Sequence, residues 1–75
     1  MYLRKLGDNE TEVSLGTGTV LFSYETPVAA NVDGKFYKTD EFFSVTTSRH
    51  INKWLNGANA EVVPQSFFRE LVSGK

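Results

Sequence analysis

The 75-residue chain contains no cysteine and a single histidine. Without cysteine there is no disulfide and no thiolate zinc ligand, and one imidazole cannot complete the usual His/Cys zinc set. The N-terminal segment MYLRKLGDNE becomes charged at Arg4, so it lacks the apolar core of a signal peptide, and no apolar run approaches the length of a membrane span. We therefore expect a cytoplasmic protein that holds no metal and no cofactor and does not associate with a membrane.

A chain of this length is expected to form one small domain, spanning residues 1–75. Domains of this size bury only about 60% of the surface that the unfolded chain exposes, and neither a disulfide nor a metal is there to compensate. Aromatic side chains are the remaining source of buried area, since the chain has six Phe, three Tyr and one Trp. Marginal stability of this kind favours a protein partner or self-association.

Charge is close to balanced but unevenly distributed. Residues 1–47 carry four basic and seven acidic side chains, whereas residues 48–75 carry four basic and two acidic ones. The pI of 5.7 is low for a protein whose main task is to bind phosphate backbones, because such domains have a strongly basic balance. Only a local basic helix in the C-terminal part would serve that purpose.

Alternation of apolar and polar residues predicts a series of short strands. The first three lie over about 2–6, 11–15 and 19–24, and the last of these, TVLFSY, has the clearest alternation. The segment Gly7–Glu10 has the composition of a turn, so it is expected to join the first two strands. Gly16-Thr17-Gly18 indicates a turn, a bulge or a close backbone approach.

The middle of the chain carries the strongest hairpin signal. Asp33-Gly34 is typical of a type I′ turn, which requires positive φ at both central residues, and it joins strands predicted over 28–32 and 35–39. Pro27 has no N–H to donate, so it belongs at a strand start or on an edge. Residues 42–45 either extend the preceding strand or form a separate segment.

The C-terminal part has helical periodicity. A first helix is predicted over about 48–56, followed by Gly57 as a left-handed C-terminal residue. Its candidate N-caps are Thr46, Thr47 and Ser48. Its apolar stripe consists of Ile51, Trp54 and Leu55. After a short extended piece at 62–63, a second helix is predicted over about 64–72, with Pro64 in its first turn. The stripe of that helix consists of Phe67, Phe68 and Leu71.

Together these segments predict an α+β fold. A small antiparallel β-meander of about four to five strands, within residues 2–45, is packed by one or two short C-terminal helices that cover one hydrophobic face of the sheet.

No residue set in the sequence predicts catalysis. The single imidazole, His50, would need a nucleophile such as Ser48 or Thr47 and an orienting acid such as Asp40 or Glu41. Positions 48 and 50 point about 200° apart on a helix, so they cannot form a dyad. We therefore expect a non-enzymatic protein with no catalytic residues.

The residues left for binding form a polar strip on the first helix, consisting of Arg49, His50, Asn52 and Lys53. Arg and Asn are the residue types that read guanine and adenine edges, and Lys meets phosphate. The strip therefore allows a nucleic-acid-binding interpretation. An ordinary solvated helix face is the alternative, because two cations on one helix are common.

Three segments of the chain carry a resemblance. They are TVLFSYETPVAA at 19–30, SVTTSRHINKWL at 44–55 and AEVVPQSFFREL at 60–71, with Gly34 and an aromatic-rich segment between the first two. These segments resemble small uncharacterised proteins of bacteriophages, plasmids and related mobile elements. The SVTTSRHINKW segment is the most specific part. The resemblance implies a small accessory role in a host cytoplasm, such as modulating a host or defence protein, and it supplies no catalytic residues.

Three functions follow as hypotheses. The leading one is a phage-type accessory protein that acts as a binding module for a protein partner or for a second copy of itself. The second is nucleic-acid binding through Arg49, Asn52 and Lys53. The third is binding of a small ligand, such as a nucleotide, at an oligomer interface.

Overall fold

A computed structural model describes residues 2–7, 9–16 and 18–72. The chain folds into a six-stranded sheet with two helices, which confirms the predicted α+β class. In chain order the elements are β1 (Tyr2–Gly7), β2 (Glu10–Leu15), β3 (Gly18–Ser23), β4 (Thr26–Val32), β5 (Lys35–Thr39), α1 (Val45–Leu55), β6 (Ala60–Val63) and α2 (Gln65–Val72).

The sheet has the strand order β1-β2-β3-β4-β5-β6, so every strand pairs with its neighbour in sequence. The first five strands form the antiparallel meander expected from the alternation pattern. The sixth strand is one more than predicted, and it runs parallel to β5 because α1 carries the chain back across the sheet before β6 begins. Residues 62–63, predicted as an extended piece, form its second half.

The turns follow the predicted chemistry where the structure describes them. Asp33 has φ 53° and Gly34 has φ 82°, as a type I′ turn requires, and the Gly34 N–H donates to Asn31 Oδ1 at 3.0 Å. Pro27 is the second residue of β4, next to a β-bulge that shifts the register between Leu21 and Phe22. Asp8 and Thr17, which belong to the first two predicted turns, lie outside the described residues.

Both faces of the sheet are covered, not one as predicted. Neighbouring residues of a strand point to opposite faces. On one face, α1 packs Ile51 and Leu55 against Leu21 and Ala29. On the other face, α2 packs its fully buried Phe68 against a cluster completed by Val20, Ala30 and Val63. The prediction missed this arrangement because the crossover through α1 separates the two helices in space.

Helix α1 begins earlier than predicted. Ser44 is its N-cap, with extended backbone (φ −167°, ψ 166°) and a side-chain oxygen that accepts the Thr47 N–H. The predicted caps at 46–48 are therefore wrong, and they lie within the first turn. Residues 42–44 do not continue β5. Asn56 and Gly57 both have positive φ and end the helix as expected.

Helix α2 is anchored at its first residue. The Gln65 side chain is buried, accepts a hydrogen bond from Thr39 Oγ1 at 2.6 Å and donates to the Pro27 carbonyl at 2.6 Å. These bonds join the helix to β4 and β5. Pro64 lies just before the helix and its carbonyl accepts the Phe67 N–H at 3.0 Å. Neither helix of the described part of the chain is long and apolar enough to cross a membrane.

Gly18 lies where the backbones of β3 and β4 approach each other closely. A Cβ at this position would lie 2.1 Å from the Asn31 carbonyl oxygen, whereas a Cβ at Gly16 would meet nothing within 4 Å. We expect Gly18→Ala to lower the free energy of unfolding by about 1–3 kcal/mol, because backbone must move to admit the methyl group. Gly16→Ala, the matched control, should stay within about 0.5 kcal/mol of the parent in urea unfolding. Equal stability of the two variants would contradict the close approach.

Candidate functional site

The structure divides the predicted polar strip. Arg49, Asn52 and Lys53 are exposed on α1, as expected. His50 is only 8% exposed, so its predicted place on the solvent face is wrong. The buried stripe of α1 begins at Thr47, and position 50 lies one turn further along the same face. The sequence prediction took a narrower stripe that began at Ile51.

His50 lies between two buried side chains of the sheet. Its Nδ1 is 2.8 Å from Ser23 Oγ, and its Nε2 is 3.2 Å from Glu10 Oε1. The three side chains therefore form a continuous hydroxyl–imidazole–carboxylate set beneath α1. The hydroxyl next to the imidazole belongs to Ser23, not to Ser48 or Thr47 as considered from the sequence. The carboxylate next to it belongs to Glu10, not to Asp40 or Glu41.

The strand register explains why Glu10 and Ser23 meet. They are directly opposite each other in the β2–β3 ladder, so their side chains share the face that α1 covers. Sequence reasoning missed this pair because it assigned Glu10 to a turn and used Ser23 only for its alternation. Taking Gly16-Thr17 as a two-residue turn between β2 and β3 sets the same register, so the signal was present in the sequence.

A chain of hydroxyl groups continues the set toward the start of α1. Thr47 Oγ1 lies 3.0 Å from Ser23 Oγ, and Ser44 Oγ donates to Thr47 Oγ1 at 3.2 Å. The Ser44 oxygen in turn accepts the Thr47 N–H at 3.1 Å. The N-cap of α1 and the buried imidazole therefore belong to one hydrogen-bonded network.

Glu10 carries the only acidic side chain of this network. It is 4% exposed, and Lys53 Nζ approaches the same oxygen, Oε1, at 3.0 Å. Its second oxygen, Oε2, is buried without a hydrogen-bond partner among the described residues. A buried carboxylate is unfavourable unless cations and donors compensate it, so Lys53 and His50 together fix how α1 sits on the sheet.

A cavity of about 220 Å³ opens beside the network. Its walls combine the network hydroxyls with apolar side chains: Ser23, Tyr24, Thr26, Val28, Phe43, Ser44 and Thr47. Ser23 is 2% exposed, and the cavity is the space that adjoins it. Among the described residues, no group of three or more His, Asp or Glu side chains is placed to hold a metal ion.

Large apolar side chains face solvent in and beside this cavity: Tyr24 and Phe43 line it, and Phe42 and Val45 adjoin Phe43 and Ser44 in sequence. This aromatic surface consists of Tyr24, Phe42, Phe43 and Val45. Phe42 is 74% exposed and Tyr24 is 52% exposed. Tyr24 has a positive φ of 59°, which is a strained conformation for a bulky residue, and its N–H donates to the Asn9 carbonyl at 2.7 Å. Its ring lies 6.3 Å from that of His50.

The chain matches a known protein family. Residues 1–70 match a family described as a family of unknown function, DUF8033. The chain belongs to this family. No curated protein and no solved structure matches the chain. The matched residues include those of both the network and the aromatic surface.

Thr47 provides a test of the network. Thr47→Val keeps the shape of the side chain but removes the hydroxyl between Ser44 and Ser23, so we expect a loss of about 1–3 kcal/mol in the free energy of unfolding. The neighbouring Thr46 is exposed, and Thr46→Val should change stability by less than about 0.5 kcal/mol. Urea unfolding followed by Trp54 fluorescence measures both variants. Similar losses for the two would contradict a role for the Thr47 hydroxyl.

Proposed function

We propose that the protein is a binding module that docks a protein partner on the aromatic surface. The observation that carries this proposal is the exposure of Tyr24, Phe42, Phe43 and Val45, of which Tyr24 and Phe43 line the cavity. The other aromatic side chains whose burial the structure describes are wholly or partly buried, so such a cluster is not needed for the core. Contiguous apolar patches on soluble proteins mark interaction sites, and aromatic residues are enriched at the centres of interfaces.

The backbone supports the same proposal. Tyr24 is held in a left-handed conformation by the hydrogen bond from its N–H to Asn9, which keeps the ring at the mouth of the cavity. Strained conformations of this kind cost of order 1–3 kcal/mol and persist mainly at functional sites. A glycine or asparagine would fill this turn position with less strain, so the tyrosine side chain is the feature that the turn presents.

The rim of the aromatic surface indicates the chemistry of the partner. Glu25, Asp40 and Glu41 are exposed next to Tyr24 and Phe42, and none of them forms an ion pair within the part of the chain that the structure describes. An acidic rim around an apolar centre complements a partner with an apolar anchor and a basic border. Two copies of this chain packed through the same surface would bring acidic rims together, so a different protein suits the surface better than a second copy.

The two alternative functions have less support. The nucleic-acid hypothesis uses three exposed residues, and one of them, Lys53, is paired with Glu10. Only Arg49 and Asn52 are left without a contact to an acidic group in the described part of the chain. The cavity of about 220 Å³ is smaller than the ~300–1,000 Å³ of sites that hold drug-sized ligands, so it does not favour a ligand as large as a nucleotide. The resemblance to small phage and plasmid proteins supports an accessory role in which the partner is a host protein.

Mutation of the aromatic surface tests the proposal. We expect the double variant Phe42→Ser with Phe43→Ser to lose a partner that the parent protein captures from a bacterial host lysate, because both anchors are removed from the interface. The captured protein is identified, purified and titrated against both forms at low and high salt. Affinity for the parent protein should fall with salt because of the acidic rim, and should fall at least tenfold in the double variant.

The matched control is Val62→Ser, which removes an exposed apolar side chain that is on β6 and is not part of the aromatic surface. This variant should bind the partner as the parent does, and both variants should keep the parent melting temperature within a few degrees. Binding that survives the double substitution, or that is lost equally in the control, would overturn the proposal.

A further inference from the structure

We propose that Ser23 is a nucleophile for acyl transfer, with His50 as its general base and Glu10 as the positioning residue of the imidazole. The proposed substrates are esters with a small apolar acyl group. This inference goes beyond partner binding and departs from the expectation of a non-enzymatic protein. That expectation rested on His50 having no nucleophile in reach, and the structure brings Ser23 to it.

The distances match those of an activated serine. Ser23 Oγ lies 2.8 Å from His50 Nδ1, within the range that proton transfer to a base requires. The opposite nitrogen, Nε2, lies 3.2 Å from the Glu10 carboxylate, which orients the ring. All three residues are buried, so competing water is largely excluded from the contacts. Here Nδ1 faces the nucleophile and Nε2 faces the carboxylate. Either ring nitrogen can serve as the base, because that role depends on the geometry of the three groups.

The hydrogen-bond network assigns the proton positions. A carboxylate only accepts, so the nitrogen facing Glu10 carries the hydrogen and Nδ1 of the neutral ring is an acceptor. Ser23 then donates to Nδ1, Thr47 donates to Ser23, and Ser44 donates to Thr47. With all donors oriented in this one direction, each of the three hydroxyl groups of the network has an acceptor. If the ring carried both protons, Ser23 would accept from Nδ1 and donate to Thr47, which would leave the Thr47 hydroxyl hydrogen without an acceptor in the network.

The cavity gives Ser23 a substrate site. Ser23 and Thr47 contribute its polar part, while Val28, Phe43 and Tyr24 contribute apolar surface. A volume of about 220 Å³ admits an acyl group of a few carbon atoms, and the leaving alcohol would lie toward the mouth beside Tyr24 and Phe43. The Thr47 hydroxyl, 3.0 Å from Ser23 Oγ, is the donor placed nearest to the oxyanion that forms on attack.

The reaction balances with the groups present and water. Ser23 Oγ bonds to the ester carbonyl carbon as its proton passes to His50 Nδ1. The carbon–oxygen bond to the leaving alcohol then breaks, and that oxygen takes the proton from Nδ1, which leaves an acyl-serine. Water gives a proton to Nδ1 as it attacks the acyl carbon, and the proton returns to Ser23 Oγ when the carboxylic acid leaves. The Glu10 carboxylate accepts the hydrogen of Nε2 throughout and stabilises the imidazolium.

The test is made on the isolated protein, so its outcome does not depend on partner binding. A small dialkyl fluorophosphate is incubated with the folded parent protein, and the modified residue is located by mass spectrometry of peptides. We expect one adduct per chain, on Ser23, together with p-nitrophenyl acetate hydrolysis that the adduct abolishes. The control Ser66→Ala, which removes an exposed serine of α2, should label and hydrolyse as the parent does.

Variants then test the assigned roles. Ser23→Ala should abolish labelling, and Glu10→Gln should slow labelling by roughly 10²–10⁴-fold while shifting its pH profile, which a merely structural role would not do. Circular dichroism confirms that each variant is folded. If Ser23→Ala does not fold, Ser23→Cys replaces it, and its thiol should be alkylated faster than a free thiol at neutral pH. A folded parent protein that takes no label, or takes it away from Ser23, overturns the proposal.

Discussion

The carboxylate of Glu10 is buried between the sheet and α1, and a buried charge must be compensated. His50 and Lys53 both reach the same carboxylate oxygen, from positions three residues apart on the helix. These two contacts act together with the apolar packing of Ile51 and Leu55 to set the rotation of α1 about its axis. Once that rotation is set, Thr47 must face Ser23, and the first turn must lie beside the end of β3.

The aromatic surface is a consequence of the same arrangement. With Ser44 drawn into the network as the N-cap, the chain that leads from β5 to α1 passes over the end of the sheet, and Phe42 and Phe43 project from it. The first turn then places Val45 beside them, and the strained turn at Tyr24 closes the group from the β3 side. Polar contacts inside the molecule thus determine which apolar side chains remain outside it.

Local features of the fold could be predicted from the sequence, and features that depend on distant contacts could not. The turn at Asp33-Gly34 was predicted correctly because few residue pairs tolerate positive φ at both positions. The apolar stripe of α2, formed by Phe67, Phe68 and Leu71, was predicted correctly because its spacing fits a helix and not a strand. The N-cap was placed too late because Ser44, Thr46, Thr47 and Ser48 are all competent by type, and only the extended backbone of Ser44 decides. The parallel pairing of β6 depends on a crossover that has no local signature.

The candidate site was predicted in part. The sequence identified His50 as the one imidazole and Lys53 as an exposed helix cation, but it put His50 on the solvated face as well. Glu10 and Ser23 were not candidates, because each is unremarkable among its neighbours and the pair exists only through strand register. The alternation pattern did not reveal that these polar side chains are buried. It assigns polar residues to the outer face of the sheet, so a polar residue on the inner face is read as exposed.

The order in which the strands pair has a consequence for synthesis of the chain. From β1 to β5, each strand pairs with the one made just before it, so the meander can assemble as the chain emerges. The parallel strand β6 and the helix α2 come from the last residues in the described part of the chain, after the whole of α1. A meander that assembles before they are made leaves Val20 and Ala30 uncovered, so one of the two core clusters would then be open to solvent and to other chains.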